Sequence, residues 1–306
     1  MTFDTRESSR YSGQPVNLYL IRGADFDDDV PLGPFAFTNG ETPVTRPVRK
    51  PNGDLEDIVF LPWPIKNTDP SHDGTLDKSD ITVTLALGSI ELGYDIDTIF
   101  LAYPPSQVVN LTIFEWHVGD PVTEETAPAT WLGRVMSGGY NETNELELPC
   151  VPVSTNIKRP GLRRNYQVGC PHALYGPQCR ASKPAATVSK AVASVTRNKI
   201  TLTTSLGTTY GQYIGGLLEW ANSDNGRREL RTISAVRADG LEITIRGIAR
   251  GLAEGTPLAV SRACNHQMTG CNTHTDSVAG GPNIKNYGGQ PWIPLENPLS
   301  QKNQFY

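Results

Sequence analysis

The sequence predicts a mainly β protein in which a strand-rich N-terminal region is followed by a small barrel. Three observations lead there. Short runs of β-branched and aromatic residues recur along the chain, and Gly and Pro punctuate them at short intervals. No segment before residue 150 sustains a helical period. With 29 Gly and 24 Pro in 306 residues, turns are frequent without the chain becoming low in complexity. That length allows two ordinary domains or one large all-β domain.

The elements follow in order. Val16–Ile21 is a compact strand signal, and the acidic run Asp25–Asp29 after it reads as a solvated turn. Its spacing lacks the placed glycine and distal Glu of a calcium loop. Phe35–Thr38, Ile58–Leu61 and Ile81–Leu87 repeat the strand pattern, with Asn39-Gly40 and Asn52-Gly53 as hairpin-type turns. A short helix is expected within Gly88–Tyr103. Val108–His117, Trp131–Met136 and Glu145–Cys150 are further strands. Residues 151–165 change character: Pro152, Pro160 and Gly161 break regular structure, and Lys158, Arg159, Arg163 and Arg164 make a basic joint. Beyond it, six strands are predicted at Val188–Val195, Lys199–Thr204, Gly216–Trp220, Arg228–Val236, Leu241–Arg246 and Pro257–Val260. Asn225-Gly226 and Asp239-Gly240 supply hairpin turns. Six strands this close together suggest a closed barrel of the SH3-like or OB-like kind. After Cys271 the chain turns Gly-, Asn- and Pro-rich, and an extended path is expected.

Bulk properties exclude several function classes. A net charge of −5 with 19% charged residues gives no electrostatic footprint for nucleic acid. The longest apolar stretches, Ile99–Tyr103 and Ile214–Leu218, are far too short to span a bilayer. Met1–Arg10 has no apolar core of a secretory signal, so a soluble protein made in a reducing cytoplasm is expected. No zinc-protease, nucleophile-elbow or phosphate-loop motif occurs, and the chain reads as non-enzymatic. Trp116, Trp131, Trp220 and Trp292 read as core or interface anchors.

In a reducing compartment, five cysteines are thiols or metal ligands before they are disulfides. Cys170 and Cys179 precede the predicted barrel, and Cys264 and Cys271 follow it. A barrel that brings its two ends together would let the four thiolates converge on a soft metal. Gaps of eight and six residues are loose for a zinc knuckle, and the closely spaced ferredoxin runs are absent. Spacing alone leaves Zn²⁺ and an iron–sulfur cluster both open. Arg163, Arg164, Arg180 and Arg262 stand near the ligands and would offset a cluster's negative charge. His172, His266 and His274 also lie close, and read as neighbours of the site rather than ligands. Cys150 stands apart and reads as a buried small hydrophobe.

The segment Cys170-Pro-His-Ala-Leu-Tyr-Gly-Pro-Gln-Cys179-Arg resembles an element of siphophage tail-tip hub proteins with a C-terminal iron–sulfur domain, of the phage lambda and gene transfer agent type. Cys264 and Cys271, followed by Asn286-Tyr287-Gly288-Gly289-Gln290-Pro291 and Pro294, are similar to the second element of that family. Leu132-Gly133-Arg134-Val135 matches the family's strand before the first cysteine. The resemblance covers roughly residues 130–295 by motif, and the N-terminal region more weakly. The stretch Asn272–Lys285 is longer and more polar than the family leads one to expect.

The resemblance implies an N-terminal hub β-barrel over 1–155 and a basic linker over 156–169. It implies an iron–sulfur domain over 170–291, with the barrel insert at 187–262, and a C-terminal tail over 292–306. It further implies a [4Fe–4S] cluster on Cys170, Cys179, Cys264 and Cys271. The protein would be a homotrimer at the virion tail tip, touching the distal tail protein, a central hub or fibre protein and the tape measure. A zinc-stapled binding module, and a redox-active or cell-wall-degrading tail-tip enzyme, are the alternatives.

Overall fold

The computed structural model describes residues 3–9, 13–24, 32–50, 53–70, 79–94, 96–100, 104–156 and 166–293. Asp25–Asp29, His72, Arg163, Arg164 and the tail from residue 294 lie outside the described residues, as does most of the basic joint. The chain divides into two compact units, Met1–Arg159 and Pro160–Tyr306.

The first unit is built on one large sheet. Its strands are β1 (Pro15–Gly23), β2 (Phe35–Thr38), β3 (Val44–Arg49), β4 (Leu55–Pro62), β5 (Ile65–Asn67), β6 (Ile81–Ala86), β7 (Val109–His117), β8 (Ala129–Val135), β9 (Gly139–Tyr140) and β10 (Glu145–Pro152). They run in the order β3-β4-β2-β1-β7-β8-β10-β6-β5, with β9 against β10. β1 pairs antiparallel with β7 over its whole length, from Pro15 opposite His117 to Gly23 opposite Val109. Successive side chains enter opposite faces. Tyr19, Ile21, Leu111 and Ile113 join one core cluster with Phe37, Val83, Leu85 and Leu148. Leu18, Leu20, Phe114 and Trp116 join another with Phe60 and Val48. Burial on both faces explains why Val16–Ile21 reads as a near-continuous apolar run instead of an alternating one.

Two expectations are corrected here. The strand path among the described residues ends on β3 and β5 and does not close, so the N-terminal unit is an open sheet rather than a β-barrel. Its ends are poor pairing surfaces: β3 carries Pro47, and β5 is three residues long. Asn39-Gly40 is also not a hairpin turn, because β2 pairs with β4 in parallel and β3 pairs with β4 from the other side. The Asn39 side chain instead accepts the Asn17 backbone N–H at 2.8 Å, tying the connection to β1. The helix expected within Gly88–Tyr103 is present as two single turns, Ser89–Leu92 and Ile96–Ile99.

The second unit holds the barrel. β11 (Thr187–Thr196), β12 (Lys199–Leu202), β13 (Leu217–Ala221), β14 (Arg228–Val236), β15 (Glu242–Ile245) and β16 (Pro257–Ser261) close in the order β11-β12-β15-β14-β13-β16. Gly226 and Gly240, at φ 71° and 69°, supply the left-handed backbone that the β13–β14 and β14–β15 turns require. Register shifts at Val192/Ser194 and Ile233/Ala235 bend the strands so that a sheet of six closes. Val192, Ile200, Leu218, Ile233, Ile243 and Val260 fill the interior and are fully buried.

Candidate metal centre

The barrel decides where the two cysteine-bearing loops begin. Its first strand begins at Thr187 directly opposite Ser261, where its last strand ends. The Arg262 N–H donates to the Ala186 carbonyl at 3.0 Å, continuing that pairing. The loop carrying Cys170 and Cys179 and the loop carrying Cys264 and Cys271 therefore leave the barrel from one point.

Backbone bonds then zip the two loops together. Cys170 N–H donates to the His266 carbonyl at 2.7 Å, and His266 Nδ1 lies 2.9 Å from the Cys170 carbonyl. Ser182 N–H donates to the Thr275 carbonyl at 2.7 Å, next to a bridge between Ala181 and Asp276. The Tyr175 hydroxyl donates to the Arg262 carbonyl at 2.6 Å. Of the five non-glycine residues at positive φ among those described, Tyr175, Arg180 and His266 lie in these loops. Such conformations persist where the surroundings over-determine them.

Donors point at the sulfurs. The Gly288 N–H lies 3.4 Å from Cys170 Sγ, and the His266 N–H lies 3.4 Å from Cys264 Sγ. The Asn283 side-chain amide donates to the Cys179 carbonyl at 2.9 Å and sits 3.6 Å from Cys271 Sγ and 3.8 Å from Cys179 Sγ. Asn283 is itself held, its Oδ1 accepting from Asn286 Nδ2 at 2.8 Å, while that same amide reaches Asp276 Oδ2 at 2.8 Å. Asp276 is pinned by the N–H groups of Val278 and Ala279, which with Asn286 hold its carboxyl below the usual range.

Cys170, Cys179 and Cys271 are buried, Cys264 partly so, and none is in a disulfide. Burial pushes the Cys271 thiol up to about 11, against the Asn283 hydrogen bond, and negative charge on Cys179, Cys264 and Cys170 adds to the rise. Burial also raises Cys264, with Cys179 and Cys170 contributing. The four thiols thus lie within electrostatic reach of one another. No three of them stand within 4.8 Å, however; among the described residues the set that does is Glu7, Glu115 and His117.

The closing phrase Tyr287-Gly288-Gly289 has a steric reason. A Cβ on Gly288 would meet the His172 ring at 2.5 Å, and one on Gly289 would collide with the Val168 carbonyl. The Tyr287 hydroxyl donates to that same carbonyl at 2.6 Å. The histidines serve as braces: His172 Nδ1 lies 3.1 Å from the Asn286 carbonyl, and His274 Nε2 lies 3.0 Å from the Ala263 carbonyl. Arg262 and Arg180 sit at the margin, Arg262 acting on Tyr175 and His274 and Arg180 on Asp276. Cys150 lies in the core of the other unit, its thiol pushed up to about 12 by burial. Residues 273–289 do not run extended as expected. They fold back over the cysteines, burying His274, Asp276 and Asn283. Asn283 and Asp276 escaped the sequence reading. Their one signal was the unusual polarity of Asn272–Lys285, and the polarity is explained by the hydrogen bonds these side chains make.

No protein-family profile matches the chain, and no curated protein sequence matches it. Among solved structures, the fold is shared with a chain in the virion of a native gene transfer agent particle. The TM-score is 0.68 at 14% identity, over 99% of this chain and 98% of that one. At that identity the likeness is one of fold, over nearly the whole of both chains.

Proposed function

We propose that the chain is a structural, non-enzymatic virion protein of a tail tip, with a [4Fe–4S] cluster stapling its second unit. The observation that carries this reading is the end-to-end fold match to a chain of a gene transfer agent virion, across both units and their order. In this reading residues 1–155 form the hub domain, 156–169 the linker, 170–291 the cluster domain and 292–306 the tail. Three copies assemble in the host cytoplasm and contact the distal tail protein, a central hub or fibre protein and the tape measure. No described helix is long and apolar enough to cross a membrane.

Cys170, Cys179, Cys264 and Cys271 would hold the cluster, one thiolate to each iron corner. A tetrahedral zinc would draw its sulfurs to about 3.8 Å from one another. No three of the four thiols lie within 4.8 Å of one another, a looser set than one zinc would hold. The amides of Gly288, His266 and Asn283 directed at sulfur suit thiolate ligands, whose negative charge such donors offset. The cluster supplies a cross-link between two loops, and the chain's own residues supply the surrounding hydrogen bonds.

Iron and acid-labile sulfide analysis of protein purified without oxygen tests the assignment. About four of each per chain, in a brown protein, is the expected result. One zinc per chain and no sulfide would replace the cluster with the zinc-stapled module.

A further inference from the structure

The N-terminal unit carries a second set of metal-ligating side chains, apart from the cysteines. Glu115 and His117 are two residues apart on β7, so the pleat places both on one face, continuing the face that Leu111 and Ile113 bury. The helical turn Phe3–Glu7 lies over that end of the strand. Arg6 pairs with Asp120 at 3.0 Å, and the Phe3 ring sits 5.2 Å from the His117 ring. This docking brings Glu7 Oε2 to 3.1 Å from His117 Nε2. One ligand atom from each of Glu7, Glu115 and His117 then lies within 4.8 Å of the others.

Two features separate this set from an ordinary surface ion pair. His117 is 1% exposed, and its Nδ1 has no hydrogen-bond partner among the described residues. Glu7 and Glu115 also set two carboxylates beside that buried imidazole. Moreover, Glu115 lines a cavity of about 340 Å³ whose walls carry Asn17, Asn67, Asp69 and Thr130 as well as Ile81, Ile113 and Trp131.

We infer that Glu7, Glu115 and His117 bind one divalent transition-metal ion that clasps the N-terminal helical turn to the sheet. One imidazole and two carboxylates suit Mn²⁺ or Zn²⁺. Ligand atoms on one such ion stand about 3.0–3.4 Å apart, given bond lengths of about 2.0–2.2 Å. The 3.1 Å between His117 and Glu7 already meets that spacing. Water would fill the remaining ligand positions.

Mn²⁺ is the discriminating probe, because thiolates compete poorly for it and the cysteine centre stays out of the titration. Titration of full-length protein, followed by electron paramagnetic resonance, is expected to show one bound Mn²⁺ per chain. Glu115→Gln is expected to weaken that binding by about tenfold or more. Glu7→Gln gives the same loss and is the variant to use if changes at the strand disturb folding, since Glu7 is exposed. Bound Mn²⁺ should also slow amide exchange across residues 3–9, and Zn²⁺ should displace it. Equal Mn²⁺ binding by wild type and both variants, or no binding by wild type, would overturn the site. The latter result would leave a proton, not a metal, shared among the three side chains.

Discussion

Between Thr187 and Ser261, thirteen buried apolar side chains make one cluster inside the closed barrel. The loops on either side, residues 166–182 and 263–293, contribute nothing to any apolar cluster among the described residues. What they bury instead is three cysteines, Ala181, His274, Asp276 and Asn283. The barrel follows the common rule that apolar area removed from water drives folding. The loops follow another: polar groups hydrogen-bonded to one another around four thiols, with too little apolar burial to offset the entropy of ordering them. In the proposed reading a metal or cluster that binds only the folded form would stabilise such a segment by mass action. The contrast teaches that hydrogen bonds among buried polar groups order these loops where apolar burial orders the barrel; in the proposed reading the four cysteines add the cross-link.

The largest test of this contrast is to remove a thiol. Cys170→Ser or Cys271→Ser is expected to give colourless protein whose loops exchange amide hydrogens rapidly while β11–β16 stay protected. Tails should fail to assemble in particles carrying the variant. Normal, fully protected loops by hydrogen exchange, or intact tails by electron microscopy, would contradict the staple.

The barrel should respond in the opposite sense. Leu218 is fully buried at the centre of the cluster, and Leu218→Ala is expected to cost about 2–5 kcal/mol. Denaturant unfolding of the barrel, followed by Trp220 fluorescence, measures it. Iron content of the protein that remains folded should be unchanged. Iron lost in proportion at every denaturant concentration would show the barrel and the loops to be one cooperative unit.

The smallest expected effect is at Asn283. Asn283→Ala removes the donor shared by the Cys179 carbonyl and the sulfurs of Cys179 and Cys271, and leaves that buried carbonyl unpaired. A loss of about 1–3 kcal/mol is expected. It should appear as faster cluster release to a chelator, with barrel stability untouched. An unchanged release rate would mean that the amide only fills space.

The barrel was legible because its information is local. Its strands alternate with period two, and Asn225-Gly226 and Asp239-Gly240 mark turns that require positive φ. For the cysteines, the sequence placed two on each side of the barrel, and the structure brings the loops that carry them out at one point. In the N-terminal sheet seven strands were read from the sequence, while Val44–Arg49, interrupted by Pro47, and the short Ile65–Asn67 and Gly139–Tyr140 were missed. The expected closure into a barrel was not found among the described residues. The strand order, with β2 parallel to β4 and the path ending on β3 and β5, rests on pairings between distant segments that no local pattern announces.

The sequence by itself therefore determined the mainly β class, most of the longer strands, the barrel, and which thiols are candidates for one site. Residue type, short-range period and turn chemistry act over a few residues, and those are the distances at which a sequence can be read. The tertiary structure alone decided that the N-terminal sheet stays open and that Asn283 and Gly288 aim their N–H groups at sulfur. It also brought Glu7 against His117 across 110 residues of chain. These are pairings between distant segments, fixed by which faces must be buried together, and nothing in the neighbourhood of either partner encodes the other.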